Sequence, residues 1–162
     1  MEKLVRIDAA GGYGIMTRAP INKDEVIFSF EKHFVPASTN VTLHVDDGVF
    51  QLSTDPTAIE NFLNHSCDPN AYIDFVSLQL HALRPIEAGE EITYHYGTSD
   101  WDDEDVFDCE CGSKNCLGHI AGFRNMPKEV QDRLLPYATP YIKKQFRYVA
   151  ARGDDGRYVR GA

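Results

Sequence analysis

Apolar and polar positions follow two different rhythms along this chain. Residues 4–31 alternate loosely and carry "GGYG" ahead of "DEVIFSFE", which predicts two short strands around a glycine turn. "VTLHVDDGVFQL", residues 41–52, predicts a hairpin, with Asp47-Gly48 offering the positive φ values of a tight turn. "TDPTAIENFLNHS" predicts a short helix, with Thr54 or Asp55 as its cap and Pro56 in its first turn. Period two returns in "AYIDFVSLQLHAL", which sets Leu78, Leu80 and Ala82 on one face. "RPIEAGEEITYHYG" then predicts a turn and another strand. Helical spacing takes over in "MPKEVQDRLL" and "TPYIKKQFRYVAAR", each opened by a proline at an N1-like position, with Gly153 where a C-terminal cap belongs. Residues 154–162 read as a loose tail. Short strands first and helices last predict an α+β domain, and no internal repeat is present.

Composition fits that picture. The 162 residues suit one domain, and 43% hydrophobic with 25% charged residues is enough to bury a core without disulfides. The formal net charge of −9 disfavours direct nucleic-acid binding and favours a cationic partner, such as a Lys- or Arg-rich peptide. "MEKLVRIDAAGGYG" lacks the apolar stretch of a signal peptide, and no run approaches the ~18 apolar residues of a membrane span. These features predict a protein kept in a reducing intracellular compartment, cytoplasm or nucleus, with no membrane partner. They leave the oligomeric state open, and a monomer suffices.

In a reducing compartment, patterned cysteines read as metal ligands before disulfides. Cys109, Cys111 and Cys116 are spaced C-x-C-x4-C, and three thiolates so close can fill three corners of a tetrahedron around Zn²⁺. The fourth ligand is either Cys67, the one cysteine left, or a histidine: His65, His95 or His119. The bland alternative is four incidental thiols. "SDWDDEDVFD" (99–108) reads equally as a solvated loop or as a docking face for a basic peptide.

Taken in order, four motifs resemble those of the SET-domain protein lysine methyltransferases. They are Gly12-Tyr13-Gly14, "NHSCDPN" from Asn64 to Asn70, "GEEITYHYG" from Gly89 to Gly97, and the cluster Cys109 to Cys116. The likeness spans residues 4 to about 123. It implies small curved β-sheets with knot-like threading. It also implies a SET domain over 1–108, a post-SET zinc segment over 109–123 and a helical extension over 124–153. S-adenosylmethionine is the implied cofactor, met by Gly12, Tyr13, Gly14, Asn64 and His65, with Leu117 over the adenine. A structural zinc held by Cys67, Cys109, Cys111 and Cys116 is implied as well. Tyr96 becomes the catalytic tyrosine. Tyr94, two residues away on the same strand face, lines the lysine channel beside it. A tyrosine at that place implies mainly monomethylation, and the resemblance implies a basic protein or peptide as substrate, such as a histone-like tail. Two positions depart from the pattern: Asn61 where an arginine is common, and His95 where the strand often carries an acid. The reading from another class is a SET-fold zinc-containing binding or adaptor module without catalysis.

Overall fold

The computed structural model describes residues 3–9, 12–39, 42–102 and 106–152. Gly153 and the tail lie outside them. The strands are β1 (Leu4–Ala9), β2 (Gly12–Thr17), β3 (Val26–Ser29), β4 (Phe34–Val35), β5 (Leu43–Asp46), β6 (Val49–Gln51), β7 (Asn64–His65), β8 (Ala71–Asp74), β9 (Gln79–Ala82), β10 (Glu91–Tyr94), β11 (Phe107–Asp108) and β12 (His119–Ile120). Two helices follow, α1 (Lys128–Leu134) and α2 (Pro140–Arg152). The strands form three small sheets, in the orders β1-β2-β10-β7, β3-β9-β8 and β4-β6-β5, plus a β11-β12 ribbon. This is the α+β arrangement of small sheets that the sequence predicts.

The period-two pattern decides which face each strand buries. On β8 and β9, Ala71, Ile73, Leu80 and Ala82 point inward, and on β2 and β10 so do Ile15 and Ile92. Together with Ile21 and Ile86 they form the main core. A second core of Phe123, Met126, Leu134, Ala138 and Ile142 sits under the helices, and Trp101 and Leu117 pack against it. The hairpin over 43–51 forms, but only Gly48 takes a positive φ in its turn, and the register shifts between His44 and Asp46.

The helix predicted over the "TDPTAIENFLNHS" stretch shrinks to a single 3-10 turn, Ile59–Phe62. Asp55 does cap, but it caps the wrong thing for a helix: its carboxylate accepts from the Thr57 N–H at 2.8 Å and closes a local turn. Two residues past that turn, Asn64 is drawn into extended pairing with β10, so no room remains for more helix. Among the described residues no helix is long and apolar enough to cross a membrane.

The helices are docked directly on the segment that leaves β10. Thr139 N–H donates to the Thr98 carbonyl at 2.9 Å, Phe123 N–H to Asp100 at 2.7 Å and Arg124 N–H to Trp101 at 2.9 Å. Gly97 lets Met126 pack closely here, because a methyl on its Cα would overlap the terminal methyl of Met126 and force that side chain to move. Thr139 is fully buried and also caps α2, its hydroxyl accepting from Ile142 N–H at 3.1 Å. Thr139→Ala is expected to lower stability by about 1 kcal/mol, the usual worth of such a cap, while the far-ultraviolet circular dichroism spectrum stays unchanged. A urea unfolding midpoint equal to that of the unmodified protein would count against this account of the docking.

Candidate functional site

The chain crosses itself where β7 lies parallel to β10, Asn64 beside Thr93 and His65 beside Tyr94. Side chains reinforce the crossing. Asn70 donates to the Glu91 carbonyl at 2.8 Å and accepts from Thr93 N–H at 3.0 Å, so its amide imitates another strand. Asn64 spends both amide hydrogens, on the Tyr13 carbonyl and on Glu91 Oε1, each at 2.8 Å. Gly14 makes this possible, since a Cβ there would collide with Glu91 and crowd Asn64.

Tyr96 is not on the strand with Tyr94. The strand ends at Tyr94, and Tyr96 opens a 3-10 turn, Tyr96–Thr98. His95 causes the break: its Nδ1 accepts from Gly97 N–H at 3.2 Å and caps the turn. The two tyrosine rings still meet, with centroids 5.1 Å apart, through the turn rather than through the pleat. The Tyr96 hydroxyl donates to the Leu63 carbonyl at 3.0 Å, and its backbone N–H donates to His65 Nδ1 at 3.2 Å. His65 must then carry its hydrogen on Nε2, which lies 3.4 Å from Cys67 Sγ. A continuous line of contacts therefore joins Tyr96 to the cysteines.

The centre is dry and uncharged. Burial pushes the Tyr96 phenol up to about 12 and raises Tyr94 well above its ordinary value. Burial lowers His65 to about 4, and burial with the neighbouring His65 and Arg133 lowers His95 to about 3. His95 Nε2 is buried and has no hydrogen-bond partner among the described residues. None of these four side chains is charged near neutral pH.

The ligand atoms of Cys67, Cys109, Cys111 and Cys116 all lie within 4.8 Å of one another. Cys67 and Cys109 sulfurs are 3.8 Å apart, about the edge of a tetrahedron with 2.3 Å zinc–sulfur bonds. Backbone N–H groups of Leu117 and Gly118 point at Cys67 and Cys116 Sγ, each at 3.4 Å, as negatively charged sulfurs require. Without a cation, burial pushes the Cys67 thiol up to about 11, a cost that a metal in the cluster offsets. The donor set fits zinc. Of the histidine alternatives, His65 and His95 come within 4.8 Å of Cys67, whereas His119 faces Asp108 at 3.1 Å on the surface. Arg133 of α1 donates to the Cys67 carbonyl at 3.1 Å, tying the helical extension to the same place.

Two cavities flank this centre. One, about 630 Å³, is lined by Asn64, His65, Asn70, Glu91 and Thr93 with residues Asp108 to Ser113. The other, about 350 Å³, is lined by Leu43, Gln51, Asn61, Leu63, Tyr94 and Asp100 among others. Tyr96 and Phe107 line both, and among the described residues they alone do so. Gly12, Tyr13, Gly14 and Leu117 lie outside both linings. Tyr13 is half-exposed against Phe62 and Arg6, and Leu117 packs into the second core. Asn70, Glu91, Ser99 and Phe107 were not singled out from sequence. Asn70 could have been, since it closes the "NHSCDPN" motif, but nothing near Phe107 marks it. Of the acidic run, Asp103, Glu104 and Asp105 lie outside the described residues, while Asp102 pairs with Arg124 at 3.1 Å.

Small sheets threaded through one another, with a four-thiol clasp beside a tyrosine that separates two cavities, define a knot-like α+β protein built around one crossing. The SET domain family model matches residues 12–97, more than half of the chain, and the protein belongs to that family. "Methyltransferase flvH" of Aspergillus flavus is 37% identical over 84 residues, covering 51% of this chain and 46% of that protein. A "Histone-lysine N-methyltransferase, H3 lysine-36 specific" of Chaetomium globosum is 28% identical over 182 residues, covering 91% of this chain and 20% of the relative. The chain thus spans less than half the length of these relatives. Among solved structures, that of KRYPTONITE in complex with mCHG DNA and SAH superposes with a TM-score of 0.62 at 20% identity, over 72% of this chain and 28% of that one. At that identity the likeness concerns the fold.

Freshly purified, reduced protein is expected to contain about one equivalent of zinc. Cys67→Ser should weaken metal retention and also loosen the C-terminal helices, read as faster amide exchange over 128–152, because Cys67 alone comes from the distant crossing. Elemental analysis that finds no bound metal would remove the clasp.

Proposed function

We propose that the protein is a protein-lysine N-methyltransferase using S-adenosylmethionine, with the donor in the larger cavity and a substrate lysine in the smaller one. The observation that carries this reading is the wall shared by the two cavities: an in-line transfer needs its reactants to approach one point from opposite sides, and Tyr96 and Phe107 are that point. The likeness to methyltransferases of Aspergillus flavus and Chaetomium globosum supports methyl transfer, and a KRYPTONITE complex that contains an H3(1–15) peptide supports a histone-like tail as acceptor.

Bound S-adenosylmethionine would supply an electrophilic methyl on sulfur. Asn64, His65 and Glu91 would hold it, and the family resemblance adds the backbone of Gly12, Tyr13 and Gly14 and cover from Leu117. On the acceptor side, Glu60 and Asp100 offer carboxylates to a cationic side chain. A lysine amine with a reference pKa of about 10.4 must lose a proton before it attacks, and burial between Tyr94, Tyr96 and Phe107 lowers that pKa. Neither phenol takes the proton at neutral pH, because burial raises both. The Tyr96 hydroxyl gives its own hydrogen to Leu63, so it presents an acceptor oxygen to a polarised methyl group. The zinc clasp holds the two sides of the larger cavity together.

The test is transfer of labelled methyl from S-adenosylmethionine to a panel of basic peptides and histones, with zinc present. Transfer to lysine is expected. Cofactor binding with no transfer to any of them would leave a binding module instead. Tyr96→Phe keeps the ring but loses the hydroxyl, and turnover is expected to fall on the order of a hundredfold with cofactor binding largely retained. Near-normal turnover would mean that Tyr96 is not the reacting group.

Product number follows from Tyr94. Its hydroxyl stays in the acceptor cavity beside Ser99 and can fix a water where a methylated amine would need to turn. Monomethyl-lysine is therefore the expected main product, and Tyr94→Phe should shift it toward higher methylation. Mass spectrometry that finds abundant trimethyl product from the unmodified enzyme would refute this.

A further inference from the structure

Among the polar residues that line the acceptor cavity and that the reaction, as described, does not use, Gln51 is deeply buried. Gln51 sits on β6, the middle strand of its sheet, opposite Phe34 on β4 and Leu43 on β5. Pairing on both edges fixes its backbone. Alternation sends the preceding residue, Phe50, the other way, where it stacks on His44 at 4.5 Å, and His44 in turn meets Tyr141 of α2 at 4.7 Å. Gln51 therefore faces the cavity, among Phe30, Leu43, Leu63 and Ile73. It is only 3% exposed, and its Nε2 makes no hydrogen bond among the described residues.

Buried amides are nearly always paired, because an unpaired one forfeits its hydrogen bonds to water. A methionine of similar length would fill the same space with no such loss. No described residue supplies the missing partner, and the cavity leaves it open to a group that enters from outside. It must also be an acceptor, since Nε2 carries two hydrogens and no available lone pair. That excludes the lysine ammonium, a donor, whose charge is matched instead by Glu60 and Asp100 at the same cavity.

We propose that Gln51 is a substrate-reading residue, donating from Nε2 to a carbonyl oxygen of the acceptor peptide next to the target lysine. The proposal rests on the methyltransferase reading. It divides the cavity into a part that attracts the cation and a part that checks the chain carrying it. A bare lysine side chain would satisfy the carboxylates and leave Gln51 unpaired, whereas a peptide seated in the correct register pairs both.

The experiment compares the full-length protein with Gln51→Met and Gln51→Glu on one panel of lysine peptides that differ in the residues flanking the target. Gln51→Met should melt no lower than the unmodified protein, should bind S-adenosylmethionine equally well, and should show a KM for the best peptide raised about tenfold with little change in kcat, the worth of one net hydrogen bond. Discrimination between flanking sequences should narrow. Gln51→Glu, assayed at a pH high enough to ionise the buried carboxyl so that it accepts but cannot donate, should lose the same discrimination. An unchanged KM for Gln51→Met on every peptide overturns the proposal while leaving the methyltransferase reading intact. So does full retention in Gln51→Glu alone, which would mean that the amide meets a donor. If the unmodified protein binds S-adenosylmethionine yet transfers methyl to no peptide, the underlying reading fails and this proposal fails with it.

Discussion

Parallel strands cannot be joined by a tight turn, so the pairing of Asn64 and His65 with Thr93 and Tyr94 forces a long excursion between them. That excursion carries β8 and β9, and on its return the chain passes over the strand it left. Everything at the site takes its position from this crossing. Leu63 receives the Tyr96 hydroxyl, His65 receives the Tyr96 N–H, and Cys67 meets the C-terminal cysteines. Two residues of strand would be a weak joint alone. Asn70 and Asn64 reinforce it with side-chain amides that bond to backbone and to Glu91.

The same crossing creates the electrostatic character of the site. Tyr94, Tyr96, His65 and His95 are crowded against each other and away from water, and each is held in its neutral form by burial. Formal charge is pushed outward, to the carboxylates of the acceptor cavity and to the sulfurs of the clasp. A dry, neutral partition between two more polar chambers strengthens whatever dipoles face it, since little water remains to screen them.

How much of this could be read from sequence depended on distance along the chain. Three members of the cysteine cluster are legible because they share one short loop, whereas spacing leaves the fourth open between Cys67 and a histidine and only the family resemblance points to Cys67. The hairpins were legible because period two survives in Ile73, Leu80 and Ala82, whose burial is decided locally. Tyr96 was placed on the wrong kind of backbone. The pattern of "TYHY" looks like strand, and nothing in it announces that His95 will turn inward and cap Gly97. The helix expected near Asp55 failed for the opposite reason, because a distant strand claimed Asn64. The contact between Gly97 and Met126, and the reach of Arg133 to Cys67, are tertiary facts with no local signature.

The order of strands in the largest sheet, β1-β2-β10-β7, also bears on how the chain assembles as it is made. β1 and β2 can pair as soon as both leave the ribosome, but the inner edge of β2 faces nothing until β10 arrives, most of a domain later. Until then an edge bearing Ile15 and Met16 is open to other chains. Closing it demands contacts between residues far apart in sequence, which makes folding slow for a protein of this size. β7 waits with it, synthesised well before β10, its one strand partner among the described residues. A nascent chain of this protein is therefore most exposed to misassembly in the interval between the appearance of His65 and that of Tyr94, and a chaperone that shields a sheet edge would act in that interval.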